Sequence, residues 1–406
     1  MNSDLISKIA AEVGTPFYLY SEQKLRDNFK SFADAVKPLK KATVCFAVKS
    51  NFNPTILKIL AVMGAGADIV SGGELELALQ AGVPADKIVF SGVGKTRAEL
   101  TAAITAGIKQ INAESESEIR LINEIAIGLN KTASVGIRVN PDVDARTHEK
   151  ITTGKKENKF GIDWNDARRL FLSAEQFKGI SLHGIEVHVG SQILELSPFR
   201  EAFVKTKKML NDLKEHGVSI QTVDVGGGLG VAYKTDESAP SPADYIAVLQ
   251  DVLGDFDGEF VFEPGRCISG DAGVLVASVV RVKQTGDKRF AVLDAGMSDL
   301  VRPAMYDAYH NIEAVKGGEA SERYDVVGPI CESADIFGKD RMLPELNEGD
   351  LIAIETAGAY GAAMASNYNG RPLIAEVLVD RDRYAVIRRR QTVAEMTALS
   401  QPAPWI

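Results

Sequence analysis
The sequence predicts an α/β protein in two parts. A (β/α)8 TIM-like barrel is expected over residues 21–266, and a mostly β C-terminal domain, a sandwich or small barrel, over residues 267–406, joined by residues 1–20. Two observations carry this expectation. Between about residue 40 and residue 266 a short apolar β-prone run, a turn and an amphipathic helical stretch follow one another, and eight such runs can be counted. Strict strand–helix alternation implies parallel strands, and eight of them favour closure into a barrel over the alternative, an open doubly wound sheet. Beyond residue 270 the β-prone runs continue without regular helices between them, which marks a separate domain.

The eight runs are residues 43–48, 67–70, 87–91, 109–113, 134–139, 180–189, 222–225 and 259–262. Helical patterns lie between them at 54–63, 74–80, 97–105, 116–129, 199–215 and 243–253. In the long pattern at 199–215, Phe199, Phe203, Leu210 and Leu213 share one face, while Arg200, Lys207, Lys208 and Asp212 lie largely off it. Gly82, Gly107 and Gly217 stand where a left-handed residue ends a helix. No GxGxxG follows the first run, which argues against a dinucleotide-binding version of the open sheet. In the C-terminal part the β-prone runs are 274–283, 289–294, 325–327, 350–355 and 375–389. Residues 16–20 form a further β-like stretch able to pair with them.

At 406 residues, 45% hydrophobic and 25% charged, the chain has the makeup of an ordinary soluble globular protein. A formal net charge of -9 with no clustered basic stretch argues against nucleic acid or an anionic membrane as a partner. Cys45, Cys267 and Cys331 are an odd number without ligand spacing, so neither a disulfide framework nor a metal site is expected, and a reducing cytoplasm fits best. The opening MNSDLISKIAAEVGTP lacks a basic head with an apolar core. No run approaches the roughly 18 apolar residues that span a bilayer, so neither secretion nor membrane insertion is expected.

In such a barrel the chemistry sits at the carboxyl ends of the strands. The first run ends at Lys49, and Ser50, Asn51, Asn53 and Pro54 turn the chain into a helix. A lysine there either snorkels its ammonium to solvent or, desolvated, offers a free amine that attacks a carbonyl and forms a Schiff base. The other ends carry Asp68, Ser71, Ser91, Glu114, Arg138 with Asn140, and His188. After the seventh run comes the glycine series Gly226, Gly227, Gly228, and after the eighth the turn Glu263, Pro264, Gly265, Arg266. This is where the fold commonly builds a phosphate site from loop amides; a flexible turn is the other reading of three glycines. His183 and His188 are five residues apart and so face opposite sides of a strand. His188, nearer the carboxyl end and followed by Gly190, Ser191 and Gln192, is the one to pack on a flat ring, unless it is a satisfied structural histidine. Glu263 either hydrogen-bonds a protonated ring nitrogen or makes an ordinary ion pair at the barrel end. SGVGKT at 91–96 is no Walker loop, because Val89 stands where its first glycine is required. A Schiff-base lysine, a phosphate cradle, a ring-packing imidazole and a carboxylate for a pyridine nitrogen together describe a pyridoxal 5'-phosphate (PLP) site. Their shared location carries that inference.

Longer motifs run through nearly the whole chain: FAVKSN around Lys49, HEKITTGKKENKFGI at 148–162, HGIEVHVGSQI at 183–193, GGGLG, EPGR, VRPAMYDAYH at 301–310, GPICESAD at 328–335 and GAYGAAMASNYNGRP at 358–372. On these the sequence resembles the alanine-racemase-fold group of PLP enzymes and, within it, the diaminopimelate decarboxylases. The last four motifs separate it from the racemases, and less sharply from the ornithine and arginine decarboxylases.

The resemblance implies a carboxy-lyase that converts meso-2,6-diaminopimelate to L-lysine and CO2, the last step of lysine biosynthesis. By the same resemblance Lys49 is catalytic and holds PLP as an internal aldimine, His188 stacks on the ring, and Glu263 keeps the pyridine nitrogen protonated. The amides of Gly226, Gly227 and Gly228 and the loop Pro264, Gly265 and Arg266 hold the phosphate, with Tyr360 also near the cofactor. Arg266, Arg302, Tyr306, Glu332 and Tyr360 contact the substrate. Cys331 is the catalytic proton donor and reaches the site of a partner subunit, which implies a homodimer with composite sites. On residue type alone, Arg302 and Tyr306 also read as a surface pair on a helical turn, Cys331 as a small buried hydrophobe and Tyr360 as a packing side chain. Cys267 stands where the family usually has serine. Diaminopimelate carries a carboxylate and an ammonium at its far end, which suits Arg266 and Arg302 together with Glu332; ornithine has only the amine, for which two arginines are poor partners. A decarboxylase of ornithine or arginine, a racemase and a catalytically silent regulator with the same fold are the alternatives. The intact Lys49 and Cys331 oppose the last.

Overall fold
The computed structural model describes residues 2–144 and 159–405. The chain divides into two compact units, one of Arg26–Val231 and Ser238–Ile268, the other of Met1–Leu25, Ala232–Glu237 and Ser269–Ile406. Helix α1 (Ser3–Val13) and strand β1 (Phe17–Ser21) open the chain, and α2 (Glu22–Ala35) follows. Helix α1 has no counterpart among the predicted elements; it buries Ile6 and Ile9, with Leu5, Ala10 and Val13 packed against the same core.

The first unit is a closed barrel. Its strands are β2 (Ala42–Ala47), β3 (Gly66–Ile69), β4 (Ile88–Phe90), β5 (Gln110–Ala113), β6 (Ala133–Arg138), β7 (Ile180–Glu186), β8 (Thr222–Asp224) and β9 (Glu259–Phe262), each parallel to the next. Ala42, Thr43 and Val44 pair with Phe260, Val261 and Phe262, so β9 returns to β2 and the open-sheet alternative falls. All eight predicted runs are present as strands of this barrel. The largest difference is at β7, which ends at Glu186 and releases Val187–Gly190 into the loop that carries His188.

Outside the strands run α3 (Pro54–Val62), α4 (Gly72–Gln80), α5 (Arg97–Ala106), α6 (Glu116–Gly128), α7 (Trp164–Leu172), α8 (Ser197–Glu215) and α9 (Pro242–Leu253). Side chains of Asn53, Ser71, Thr96, Ser115, Asp163 and Ser241 accept hydrogen bonds from the opening amides of six of them, which fixes where each helix starts after its loop. Helix α7 was not predicted; it buries only Ala167, Leu170 and Phe171. In α8 the buried stripe is Phe199, Ala202, Phe203, Thr206, Met209 and Leu213. Met209 takes the inward place expected of Leu210, which is only half-buried.

Between helices and barrel, Phe199 meets Tyr245 edge to face at 4.8 Å between ring centroids, and Phe32 meets Phe262 at 5.7 Å. The Tyr245 hydroxyl is buried in this cluster without a hydrogen-bond partner among the described residues. Burial, with Asp224, Cys267 and Glu263 nearby, pushes its pKa up. A buried hydroxyl that has given up water for nothing is a net cost, so Tyr245→Phe is expected to raise stability by about 1 kcal/mol. The denaturant midpoint at unchanged m-value checks this.

The second unit is built on β10 (Gly273–Thr285). With β11 (Lys288–Leu293), β12 (Ile312–Ala314), β13 (Glu322–Val327), β14 (Ile336–Leu343), β15 (Leu351–Ile354), β16 (Ala375–Asp380) and β17 (Arg383–Arg388) it forms a nine-stranded mixed sheet that includes β1. The order is β14-β13-β11-β10-β1-β16-β17, with β15 branching from β10 and β12 from β15. At thirteen residues, β10 is long enough to pair β1 and β15 along its first half and β11 along its second. Strand β1, antiparallel to β10 and parallel to β16, is buried from Phe17 to Tyr20, which accounts for its wholly apolar and aromatic composition. The run predicted at 375–389 is in fact a hairpin of two strands, because Arg381 adopts φ +59° in the polar turn at 380–383. Strand β14 escaped prediction: Lys339, Asp340 and Arg341 interrupt its apolar pattern, as suits a strand paired only with β13. Short helices α10 (Arg266–Ser269), α11 (Arg302–Tyr306) and α12 (Val393–Thr397) complete the secondary structure. No described helix is long and apolar enough to cross a membrane.

Candidate active site
Strand β2 stops at Ala47, and a single 3-10 turn, Val48–Ser50, carries Lys49 just past the strand end rather than on it. Ser50 Oγ donates to the Ala47 carbonyl at 2.7 Å and closes that turn. Lys49 Nζ lies 2.7 Å from Asp68 Oδ2; the lysine side chain is 37% exposed while Asp68, on β3, is wholly buried. Asp68 Oδ1 has no hydrogen-bond partner among the described residues.

Below this pair the barrel interior holds a layer of polar side chains. Gln110 Nε2 donates to Asn112 Oδ1 at 2.7 Å, and Asn112 Nδ2 donates to both Ser91 Oγ and Asp224 Oδ2 at 3.1 Å. Ser91 Oγ donates to Glu263 Oε1 at 3.2 Å, and the Gly226 amide donates to Asp224 Oδ1 at 3.0 Å. Asn112 and Ser91 thus link the buried carboxyls of Asp224 and Glu263. Beside them Arg138 Nη1 reaches Glu114 Oε1 at 3.1 Å, while its Nε stands 3.6 Å from Glu186 Oε1.

Burial raises Glu263 well above the usual carboxylate range; the charges of Asp224, Asp68 and Glu186 add to it, and Lys49 opposes. Burial likewise raises Asp224 to about 6, against the Gly226 amide and Asn112. It raises Glu186 to about 8, opposed by Arg138. The sign of the Glu186 effect follows from linkage. A carboxyl whose folded pKa lies above its unfolded value favours the fold when protonated, so that stability is full below the unfolded value and is lost as pH rises to about 8. The melting temperature of cofactor-free protein should therefore fall between about pH 5 and about pH 8, by a few degrees, and Glu186→Gln should flatten the fall. Thermal melts across pH check it.

His188 leaves β7 and is half-buried. The Gly227 amide donates to its Nδ1 at 3.2 Å, so the neutral ring carries its proton on Nε2. Burial first, then the charges of Arg138 and Lys49, hold the imidazole neutral. His183 serves elsewhere, bonded to Ser134 and Ser181. The loops after β7, β8 and β9 approach closely: a Cβ at Gly227 would lie 2.2 Å from the Glu263 carbonyl oxygen, and one at Gly228 2.3 Å from the Gly190 carbonyl oxygen. Of the amides expected to cradle a phosphate, those of Gly226 and Gly227 are already engaged with Asp224 and His188, and Pro264 has none to offer. Arg266, buried, donates from Nη2 to Ser191 Oγ at 3.1 Å.

The remaining expected site residues belong to the second unit. Arg302 is buried rather than half of a surface pair with Tyr306; Nη1 contacts His310 Nε2 at 2.8 Å and the guanidinium lies over the Tyr233 ring at 4.7 Å. His310 Nδ1 stands 2.8 Å from the Glu355 carbonyl oxygen, so Nδ1 donates there and Nε2 accepts from Arg302. Cys331 is exposed rather than a buried hydrophobe, and its amide donates to Asn369 Oδ1 at 3.0 Å. Glu332, also exposed, accepts from the Tyr368 hydroxyl. Tyr306 and Tyr360 are half-buried, and Tyr360 sits at φ +56°, a left-handed conformation rare for a bulky residue. Sequence reasoning missed Asp224, Asn112, Gln110, Glu186 and His310. For the first four the available signal was a polar residue within a barrel strand, which is seldom buried there without a partner; His310 lies outside any strand and carried no such signal. Residues 148–158 of the motif at 148–162 lie outside the described residues.

A barrel mouth with an amine at one strand end and a buried acid network at another is the binding domain of a PLP enzyme. Residues 22–270 match the model of the pyridoxal-dependent decarboxylases, pyridoxal binding domain. Within that class the chain belongs to the diaminopimelate decarboxylase family. It is 47% identical to the Haemophilus influenzae diaminopimelate decarboxylase over 97% of this chain and 95% of the relative. Against the Aquifex aeolicus enzyme it is 44% identical, over 95% and 91%. The crystal structure of the Helicobacter pylori enzyme complexed with L-lysine superposes with a TM-score of 0.93 at 41% identity, covering 97% of this chain and 98% of that one. The M. jannaschii enzyme, also in complex with L-lysine, gives 0.94 at 38% identity, covering 98% and 94%. The protein is thus a carboxy-lyase with PLP as cofactor. The site fits that group: Asp68, paired with Lys49, keeps a buried oxygen without a partner among the described residues, Glu263 is a buried acid, and the glycine corner leaves no room for a side chain.

Proposed function
We propose that this protein decarboxylates meso-2,6-diaminopimelate to L-lysine and CO2, the closing step of lysine biosynthesis, as a cytoplasmic homodimer. The observation that carries the reading is the Lys49–Asp68 pair in the same mouth as the buried Glu263–Asp224 acids. The lysine found in the crystal structures of the Helicobacter pylori and M. jannaschii relatives supports the product.

When bound, PLP supplies an electron sink for the carbanion left by loss of CO2. The protein's residues do the rest. Lys49 offers the amine that anchors the cofactor, with Asp68 orienting Nζ. Neutral His188 packs on the ring without competing for a proton. Glu263 supplies a proton to the ring nitrogen, and the Gly228 amide with the 265–266 turn takes the phosphate. Arg266 and Arg302 hold the distal carboxylate of the substrate, Glu332 its distal ammonium, and Tyr306 and Tyr360 flank it. Arg302 suits this task because His310 and Tyr233 already hold it in place, so little side-chain entropy remains to be lost on binding. The Cys331 thiol of a second copy returns a proton to the α-carbon as general acid.

The test is product analysis by mass spectrometry on purified protein with PLP and either meso-diaminopimelate, ornithine or arginine. Lysine from diaminopimelate alone is expected; turnover of ornithine or arginine instead would overturn the substrate assignment. The shared-site reading has its own check. Mixing inactive Lys49→Ala with inactive Cys331→Ala should restore about a quarter of wild-type activity, because half of the randomly paired dimers then hold one intact site. No recovery in a mixture shown to exchange subunits would place Cys331 in its own subunit's site.

A further inference from the structure
Asp224 and Glu263 are buried carboxyls linked through Asn112 and Ser91, and the donors around each decide which of them keeps a proton. Asp224 receives two N–H groups that cannot lose their protons, the Gly226 amide on Oδ1 and Asn112 Nδ2 on Oδ2. Among the described residues Glu263 receives a single hydroxyl, that of Ser91, whose own acceptor role is filled by the same Asn112 Nδ2. Asn112 cannot turn round to present its oxygen, because Gln110 Nε2 donates to Oδ1. The ionised form is therefore better solvated at Asp224, and the proton belongs to Glu263.

We propose that Asp224 is a positioning residue for the cofactor's nitrogen: its carboxylate, held ionised by Gly226 and Asn112, keeps Glu263 protonated in the empty site, so that Glu263 meets the ring already carrying the proton the ring nitrogen needs. This rests on the reading that Glu263 faces that nitrogen. The groups around Glu263 are Lys49 from the turn after β2, Asp68 of β3, Ser91 after β4, Glu186 of β7 and Asp224 of β8, with Arg138 of β6 next to Glu186. Carboxyls outnumber cations among them, so together they favour the proton's presence, and burial raises both members of the pair in the same sense. On binding, the O–H bond of Glu263 breaks and an N–H bond forms with the nitrogen lone pair, while the carboxylate retains the O–H electron pair. The two oxygens of Asp224 stay on their N–H donors. Its negative charge then holds the transferred proton at the nitrogen–Glu263 couple.

Two measurements test this without reference to turnover. The infrared difference between cofactor-free wild type and Glu263→Gln at neutral pH should contain the stretch of a protonated carboxyl; carboxylate bands there instead would overturn the proposal. In protein loaded with PLP carrying 15N in its ring, the nitrogen resonance should sit at the pyridinium position. Asp224→Asn should lower the pH at which that proton leaves by about one unit, a tenfold loss of proton affinity. Asp224→Ser, which removes the charge without adding an amide, should move it the same way and serves if the asparagine variant does not fold. An unchanged titration in a folded variant would overturn the role of Asp224 alone. An unmoved resonance in Glu263→Gln would overturn the reading of Glu263 and this inference with it. Failure of diaminopimelate turnover would touch neither measurement.

Discussion

Lys49→Ala is expected to abolish covalent attachment of the cofactor and to lower turnover on the order of 10^4-fold or more, since no other described lysine is paired to Asp68 in this mouth. Trapping by borohydride reduction followed by peptide mass analysis checks the attachment site directly. The substitution also leaves buried Asp68 without its partner. Because Lys49 is more than a third exposed, that loss is discounted to about 1 kcal/mol of stability. Lys49→Arg separates the two effects, for it keeps a cation near Asp68 but no Schiff-base amine. Its melting temperature should stay near wild type while turnover stays lost. A Lys49→Ala protein that still binds PLP covalently at wild-type occupancy would end the assignment.

Gly227→Ala is the second large effect, and it arises from contact rather than from chemistry. The new Cβ would sit 2.2 Å from the Glu263 carbonyl oxygen and 3.1 Å from the carbonyl carbon, both backbone atoms that no rotamer change can move. The loops after β8 and β9 must then part. The Glu263 amide bond to the Gly226 carbonyl and the Gly227 amide bond to His188 are the first to be lost. A stability loss of about 3 kcal/mol is expected from overpacking, together with on the order of a hundredfold weaker cofactor binding, since Glu263 and His188 lose their aim together. Thermal melts and cofactor titration measure the two. Gly217→Ala is the contrast: φ is +79° there and nothing lies within 4 Å of the added carbon, so only about 1 kcal/mol of backbone strain is expected and no change in binding.

The eight barrel strands were legible because each is a short apolar run between turn residues, a pattern that depends on neighbours in the chain. Lys49, His188 and Glu263 were legible for a related reason: the fold places strand ends together, so polar residues there can be read as one group before any coordinate is known. Helices α1 and α7 were not read, although Leu5, Ile6, Ile9, Ala10 and Val13 in the first and Ala167, Leu170 and Phe171 in the second keep helical spacing, so their period was present in the sequence. The hairpin β16–β17 was read as one strand because its turn, Asp380-Arg381-Asp382-Arg383, carries no glycine or proline to mark it.

What the sequence by itself determined is the alternation that makes a barrel, the residue types at its mouth and the family to which the motifs belong. Only the tertiary structure decided what those residues are bonded to. Asn112 of β5 reaches Asp224 of β8 because closure brings together strands 112 residues apart, and the same closure removes water from Glu263. It decided that two of the three glycine amides serve Asp224 and His188, and that Arg302 is buried against His310 and Tyr233 instead of lying at the surface. The physical reason is common to all of these. Strand and helix patterns follow from local steric and hydrophobic preferences, whereas protonation and hydrogen-bond partnership follow from desolvation and through-space neighbours, which exist only once the chain has closed on itself.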